Sequence, residues 1–218
     1  MLFEISAEHF QECLTGEHRT IKRPDPLITI DRTDFFLVVD DDKKIIRVTG
    51  VHSEDEDWPD NFDMRIRSFE NCRDTDELWF SGIHVHAGFL RQYKAVRNKL
   101  LDICYEKPDY AIRGDGFSLG AAWGQLFIQD CLHRWPERDI KAIYYAPPNP
   151  WRRLPRNYQE MLNNAITFVI PRWDVVTWMR VLAFRRYGKE TRIGKPWRLL
   201  PKQHRPAQII RALLELDK

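Results

Sequence analysis

The sequence lacks most of the marks of a specialised chain. Its four cysteines, Cys13, Cys72, Cys104 and Cys131, are widely spaced and form no C-x-x-C pair, so zinc-ribbon and thioredoxin-like motifs are excluded. No apolar run approaches the ~18 residues that span a bilayer. Met1-Leu2-Phe3-Glu4-Ile5 carries neither a basic n-region nor an apolar h-region, so no secretory signal is read there. A soluble, cytoplasmic protein with reduced thiols is expected. The net charge of +2 gives no broad electrostatic case for nucleic acid, and none is expected as a partner. There is no internal repeat, low-complexity tract or Pro/Gly/Ser-rich linker, so 1–218 is expected to form one well-cored domain, with residues 1–26 as a peripheral lead-in.

What is present is a globular mixture, 43% hydrophobic and 30% charged, in which apolar strand-like runs alternate with helical patterns. Ala7 to Leu14 reads as a short amphipathic helix. Phe35 to Val39 and Lys44 to Thr49, joined by Asp40-Asp41-Asp42-Lys43, read as a hairpin. From Gly88 to Glu106 the residues Phe89, Leu90, Tyr93, Val96, Leu100, Leu101 and Cys104 line one helical face. Further strands are expected at Met64 to Phe69, Leu78 to Phe80, Tyr110 to Arg113, Ile140 to Tyr145 and Ile166 to Ile170. Helices are expected at Leu119 to His133, Asn157 to Asn164 and Pro206 to Leu216. Unbroken apolar strands between helices imply a mainly parallel sheet covered on both faces, an α/β fold.

One segment carries a chemical signature. Gly116-Phe117-Ser118-Leu119-Gly120 is a G-x-S-x-G motif between an expected strand and an expected helix. In that setting the serine occupies a sharp strained turn, its hydroxyl stands above the sheet and the next backbone N–H faces whatever the oxygen attacks. The flanking glycines are expected because side chains there would collide with the neighbouring strand and helix. Without that context the pentapeptide is an ordinary glycine-rich turn.

A serine nucleophile needs a base, and the base an orienting carboxylate, usually in the chain order Ser, Asp, His. Only His133 and His204 follow Ser118. His133 ends the helix that starts at the serine and is carried away from the turn, which leaves His204, before the last helix. Asp174 follows the apolar run Phe168-Val169-Ile170, where a strand would leave the sheet at the edge that carries catalytic loops. The plainer alternatives are a carboxylate capping Val175 onward and an exposed loop histidine. The Leu119 N–H is one expected oxyanion donor. The other should come from a loop after an early strand, and Arg47 to His52 supplies one, with Gly50 for the tight turn.

Together these motifs resemble the class 3 lipase family, the fungal-lipase type of α/β-hydrolase. Val48-Thr49-Gly50-Val51 stands where that family has R-G-[ST], Asp57-Trp58-Pro59-Asp60-Asn61 stands for D-W-x-x-N, and Val85-His86-Ala87-Gly88-Phe89 for V-H-x-G-F. Gly116-Phe117-Ser118-Leu119-Gly120-Ala121-Ala122 stands for G-H-S-L-G-G-A. The resemblance runs from about Ile45 to His204. It implies a lipase- or esterase-like hydrolase in which Ser118, Asp174 and His204 form the triad and Leu119 and Val51 the oxyanion hole. His86, Gly50 and His52 would support that hole, and Ser53 to Asp63, with Trp58, would take the place of a lid. The implied partner is a small ester or lipid, with contact to a membrane surface as an additional role and no cofactor. The family's pattern is broken at Phe117, Ala121 and Val51, and the alternative function is a non-catalytic binding or assembly protein on the same fold. Thioesterase and phospholipase chemistry would use the same triad.

Three further groupings have two readings each. His84 and His86, with His52, have a metal-like spacing, but a packed histidine is the commoner fate and no metal site is expected. Trp151, Trp173, Trp178 and Trp197, with Met179, could line an acyl pocket or fill the core. The arginines of the C-terminal third form either a solvated face or a surface for anionic head groups.

Overall fold

A computed structural model describes residues 5–15, 28–30, 33–52, 66–68, 82–172, 174, 177, 184–194 and 205–216. In chain order the elements are α1 (Ala7–Thr15), β1 (Ile28–Ile30), β2 (Thr33–Asp40), β3 (Ile45–His52), β4 (Ile66–Ser68), β5 (His84–His86) and α2 (Ala87–Glu106). There follow β6 (Ala111–Phe117), α3 (Ser118–Arg134), β7 (Ile140–Tyr145), β8 (Trp151–Arg153), α4 (Arg156–Ala165), β9 (Ile166–Pro171), β10 (Lys189–Ile193) and α5 (Pro206–Leu214). Seven strands form one sheet in the order β1-β2-β3-β6-β7-β9-β10, and β4-β5-β8 form a small second sheet. From β3 to β10 the large sheet is parallel, and β1 and β2 extend it antiparallel. This is the α/β architecture expected, with an antiparallel margin because the β2–β3 connection is too short to cross over.

Strand β6 shows how the sheet divides its residues. Ile112, Gly114 and Gly116 face α3, where Gly114 lies against Tyr144 and Ile128, and Gly116 against the backbone of Gly120 and Ala121. Arg113, Asp115 and Phe117 alternate to the other side. The α3 side holds the larger core, including Tyr93, Val96, Trp123, Leu126, Phe127, Tyr144 and Phe168. Across α2 and α3 the buried Asp130 carboxylate accepts from Tyr93 at 2.5 Å, Arg97 at 2.6 Å and Arg134 at 2.8 Å. Burial raises its pKa even against Arg97, and the residue serves to cross-link two helices.

On the other face, Phe10 and Cys13 of α1 pack with Phe117, Ile143, Tyr145 and Val169 and with Ile209 and Leu213 of α5. This corrects the expectation that residues 1–26 are peripheral, as far as α1 is concerned. Phe10 and Cys13 are fully buried because the outward face of a parallel sheet must be covered, and α1 covers it at β3 and β6. Among the described residues no helix is long and apolar enough to cross a membrane.

Candidate active site

Ser118 is the first residue after β6 and the first of α3, and its φ is +51°. A non-glycine residue in that left-handed region is strained, and the strain is what lets the chain reverse within one residue from strand to helix. Two glycines make the turn possible. A Cβ on Gly50 would lie 2.5 Å from Cζ2 of Trp123 and 2.8 Å from the Gly120 carbonyl oxygen, and a Cβ on Gly120 would run into the Gly50 backbone. Strand β3 therefore passes the start of α3 at backbone contact. The expected reason for the flanking glycines is the one observed.

The turn leaves the Leu119 N–H among the unpaired donors of the α3 N-terminus, where the helix dipole favours a developing anion. Strand β3 pairs with β6 as far as Gly50 opposite Gly116, and with β2 as far as His52 opposite Thr33. Gly50, Val51 and His52 thus lie in a strand, not in the loop expected from the glycine. The hairpin partner β2 holds the chain extended to His52, so Val51 follows directly on the last β3–β6 pair.

His86 precedes α2, is 2% exposed, donates its N–H to the Pro150 carbonyl at 2.9 Å and stacks on Phe89 with centroids 4.1 Å apart. The Phe184 ring lies 5.4 Å from it, tilted by 55°. It is a packed histidine at the head of α2. Asp174 lies just beyond β9, two strands from β6, and is fully buried. Its N–H reaches the Pro171 carbonyl at 3.3 Å and its own carbonyl accepts from the Thr177 hydroxyl at 2.9 Å. Strands β6 and β9 run parallel, so Ser118 and Asp174 leave the sheet at the same edge. His204, the lid candidate Trp58 and the tryptophans Trp173, Trp178 and Trp197, with Met179, lie outside the described residues. Residue 205, next to His204, is the N-cap of α5. Among the described residues no group of three or more His, Cys, Asp or Glu could hold a metal ion.

Phe117, which departs from the family pattern beside the serine, points away from the turn. Its ring meets Phe10 of α1 edge-on at 5.5 Å, so the change is one of core packing. Trp151 resolves toward the core: it is fully buried and its indole N–H donates to Gln129 at 2.9 Å. His133 is held by the Tyr158 hydroxyl at 2.8 Å, far along α3.

A charged cluster that no local sequence pattern announces lies under the turn. Asp115, three residues before Ser118, accepts from Arg47 Nε at 2.5 Å, and His9 Nε2 lies 3.5 Å away. His9 Nδ1 meets the Tyr145 hydroxyl at 2.7 Å, and Arg47 also pairs with Glu12 at 3.5 Å. Burial alone would raise the Asp115 carboxyl, but Arg47, His9 and Thr49 hold it well below the usual carboxylate range. A charge inside an otherwise buried strand was the available signal, since such a charge demands a partner.

A parallel sheet with a strained serine between strand and helix is the layout of an α/β hydrolase. The model of the lipase (class 3) family matches residues 45–183, and the chain belongs to that family. Among solved structures it is similar to the lipase of Rhizopus microsporus var. chinensis, with 19% identity, a TM-score of 0.59 and coverage of 76% of this chain and 59% of that one. It is also similar to the Rhizomucor miehei triacylglyceride lipase, with 21% identity, a TM-score of 0.58 and coverage of 77% and 64%. Lip2 lipase from Yarrowia lipolytica gives 15% identity, a TM-score of 0.61 and coverage of 87% and 78%. At these identities the likeness is one of fold, and the chain spans about three fifths of the length of the first two. Among curated proteins none matches this sequence.

Proposed function

We propose that this chain is one α/β-hydrolase domain that cleaves carboxylic esters by acyl transfer, its substrates ranging from small soluble esters to lipids. The observation that carries the reading is the left-handed Ser118 at the β6–α3 junction, because that conformation, within G-x-S-x-G between a strand and a helix, is the one in which a nucleophilic serine stands above the sheet. Ser118 Oγ attacks the ester carbonyl and gives its proton to His204, which Asp174 orients. The N–H groups of Leu119 and Val51 receive the oxyanion. The tetrahedral adduct collapses, the alcohol leaves with the proton from His204, and water then releases the acid from Ser118 by the same steps in reverse roles. Side chains and water supply every proton and electron pair. His86 and Gly50 keep the head of α2 and the end of β3 in place around the oxyanion donors, with His52 beside them. Trp58 is assigned to a covering segment that meets lipid.

The test is Ser118→Ala. Hydrolysis of a short-chain p-nitrophenyl ester and labelling by a fluorophosphonate probe should both disappear, and retention of either in the variant would overturn the assignment.

A further inference from the structure

Arg186 gathers three separate segments onto one buried guanidinium. Its side chain is 6% exposed. Nη1 donates to Oδ1 of Asn149, in the connection after β7, at 2.9 Å, and to the carbonyl oxygen of Thr177 at 3.0 Å. Nε donates to Glu190 of β10 at 3.1 Å, and Nη2 lies 3.0 Å from the same carboxylate. The ring of Phe168, in β9, lies under the guanidinium at 5.8 Å. Thr177 is itself tied to Asp174 through its hydroxyl. Both Asn149 and Thr177 are buried, so the cation has left water to make these bonds, and Glu190 supplies an opposite charge. The guanidinium's bonds to the Thr177 carbonyl and the Asn149 amide oxygen fix Thr177, whose hydroxyl holds the Asp174 carbonyl.

We propose that Arg186 is a positioning residue for Asp174, locking the connection after β9 against that after β7 through Thr177 and Asn149. The proposal rests on the triad reading, in which Asp174 orients His204. A planar fork can serve several acceptors at fixed angles, which a lysine ammonium does only in part.

The experiment compares Arg186→Met, Arg186→Lys and Asp174→Asn with the parent on a soluble ester, well below each variant's melting temperature. Active sites are counted by fluorophosphonate titration. Arg186→Met should lower kcat per active site by about 10- to 100-fold, with KM within about twofold of the parent and the acidic limb of the pH profile moved to lower pH, because a base that loses its oriented carboxylate is a weaker base. Arg186→Lys should recover part of kcat. Amide hydrogen exchange at Asp174 and Thr177 should speed up in Arg186→Met. A parental kcat and pH limb per active site in Arg186→Met, or unchanged exchange at those amides, overturns the proposal while leaving the triad standing. A fully active Asp174→Asn overturns the triad reading itself.

Discussion

Ser118 and Ala146 leave the sheet side by side, after the register pair Phe117 and Tyr145 of β6 and β7, and both are left-handed, at φ +51° and +46°. Two neighbouring parallel strands thus end in the same strained conformation, one with a hydroxyl to present and one with only a methyl group. Ala146 is fully buried and its N–H donates to the Val169 carbonyl at 2.9 Å, so the surrounding sheet enforces the turn.

Strain without a side-chain role should be removable. Ala146→Gly should stabilise the fold by about 1 kcal/mol in denaturant titration, the penalty of a Cβ in the left-handed region less the extra chain entropy of glycine. A destabilised variant would mean that the methyl group packs more than it strains.

The backbone contact between β3 and α3 should be intolerant of any side chain. Gly120→Ala sets a methyl group against the Gly50 backbone, and Gly50→Ala sets one against Trp123. Each should cost roughly 3 kcal/mol or more. Esterase activity should fall further than the folded fraction does, because β3 and α3 carry Val51 and Leu119, the oxyanion donors of the proposed mechanism. Circular dichroism melts beside activity per titrated site read the two effects separately.

The Asp115 cluster predicts an acid-sensitive stability. The folded carboxyl titrates lower than the unfolded one near 3.9, so the unfolded chain binds the extra proton. The contribution is present above about pH 5 and is lost as the pH falls toward the folded value. Asp115→Asn should cost about 3 kcal/mol at pH 7, as expected for breaking a buried ion pair. The gap between parent and variant in urea titrations should shrink steadily from pH 5 to pH 2. A gap independent of pH would show that Asp115 contributes by shape rather than by charge.

At the alkaline end the buried tyrosines act in the opposite sense. Burial raises the pKa of Tyr93, Tyr144 and Tyr145, so their contribution is complete below the unfolded value near 10 and is lost as the pH rises toward the folded one. Tyr144 is the clean case, since its buried hydroxyl has no hydrogen-bond partner among the described residues. Tyr144→Phe should be neutral or stabilising by about 1 kcal/mol at pH 7 and should unfold at higher pH than the parent.

How much of this was legible in the sequence depended on where each signal resides. Strand β7 and the helices α2 and α3 follow from apolar periodicity and match the expected bounds closely, and the serine turn follows from glycine spacing. Strand β10, Lys189–Ile193, was missed because only Ile193 among its five residues is buried. Its strand character comes from pairing with β9, and its charges suit an edge. The sequence around Gly50 suggests a turn, but cross-strand pairing overrides the local preference. Arg47, Asp115 and His9 belong to two strands and a helix, so their meeting is tertiary and no local pattern announces it. Arg186 is of the same kind, one arginine among many in the C-terminal third.

The docking of α1 beside α5 over β6 and β7 has a consequence for how the molecule is made. The second core unites residues from both ends of the described chain, Phe10 and Cys13 with Ile209 and Leu213. During synthesis the α1 face of β6 can be only partly shielded until α5 has emerged, leaving apolar surface open to association in the meantime. That face is therefore sealed only when α5 joins α1 over the sheet.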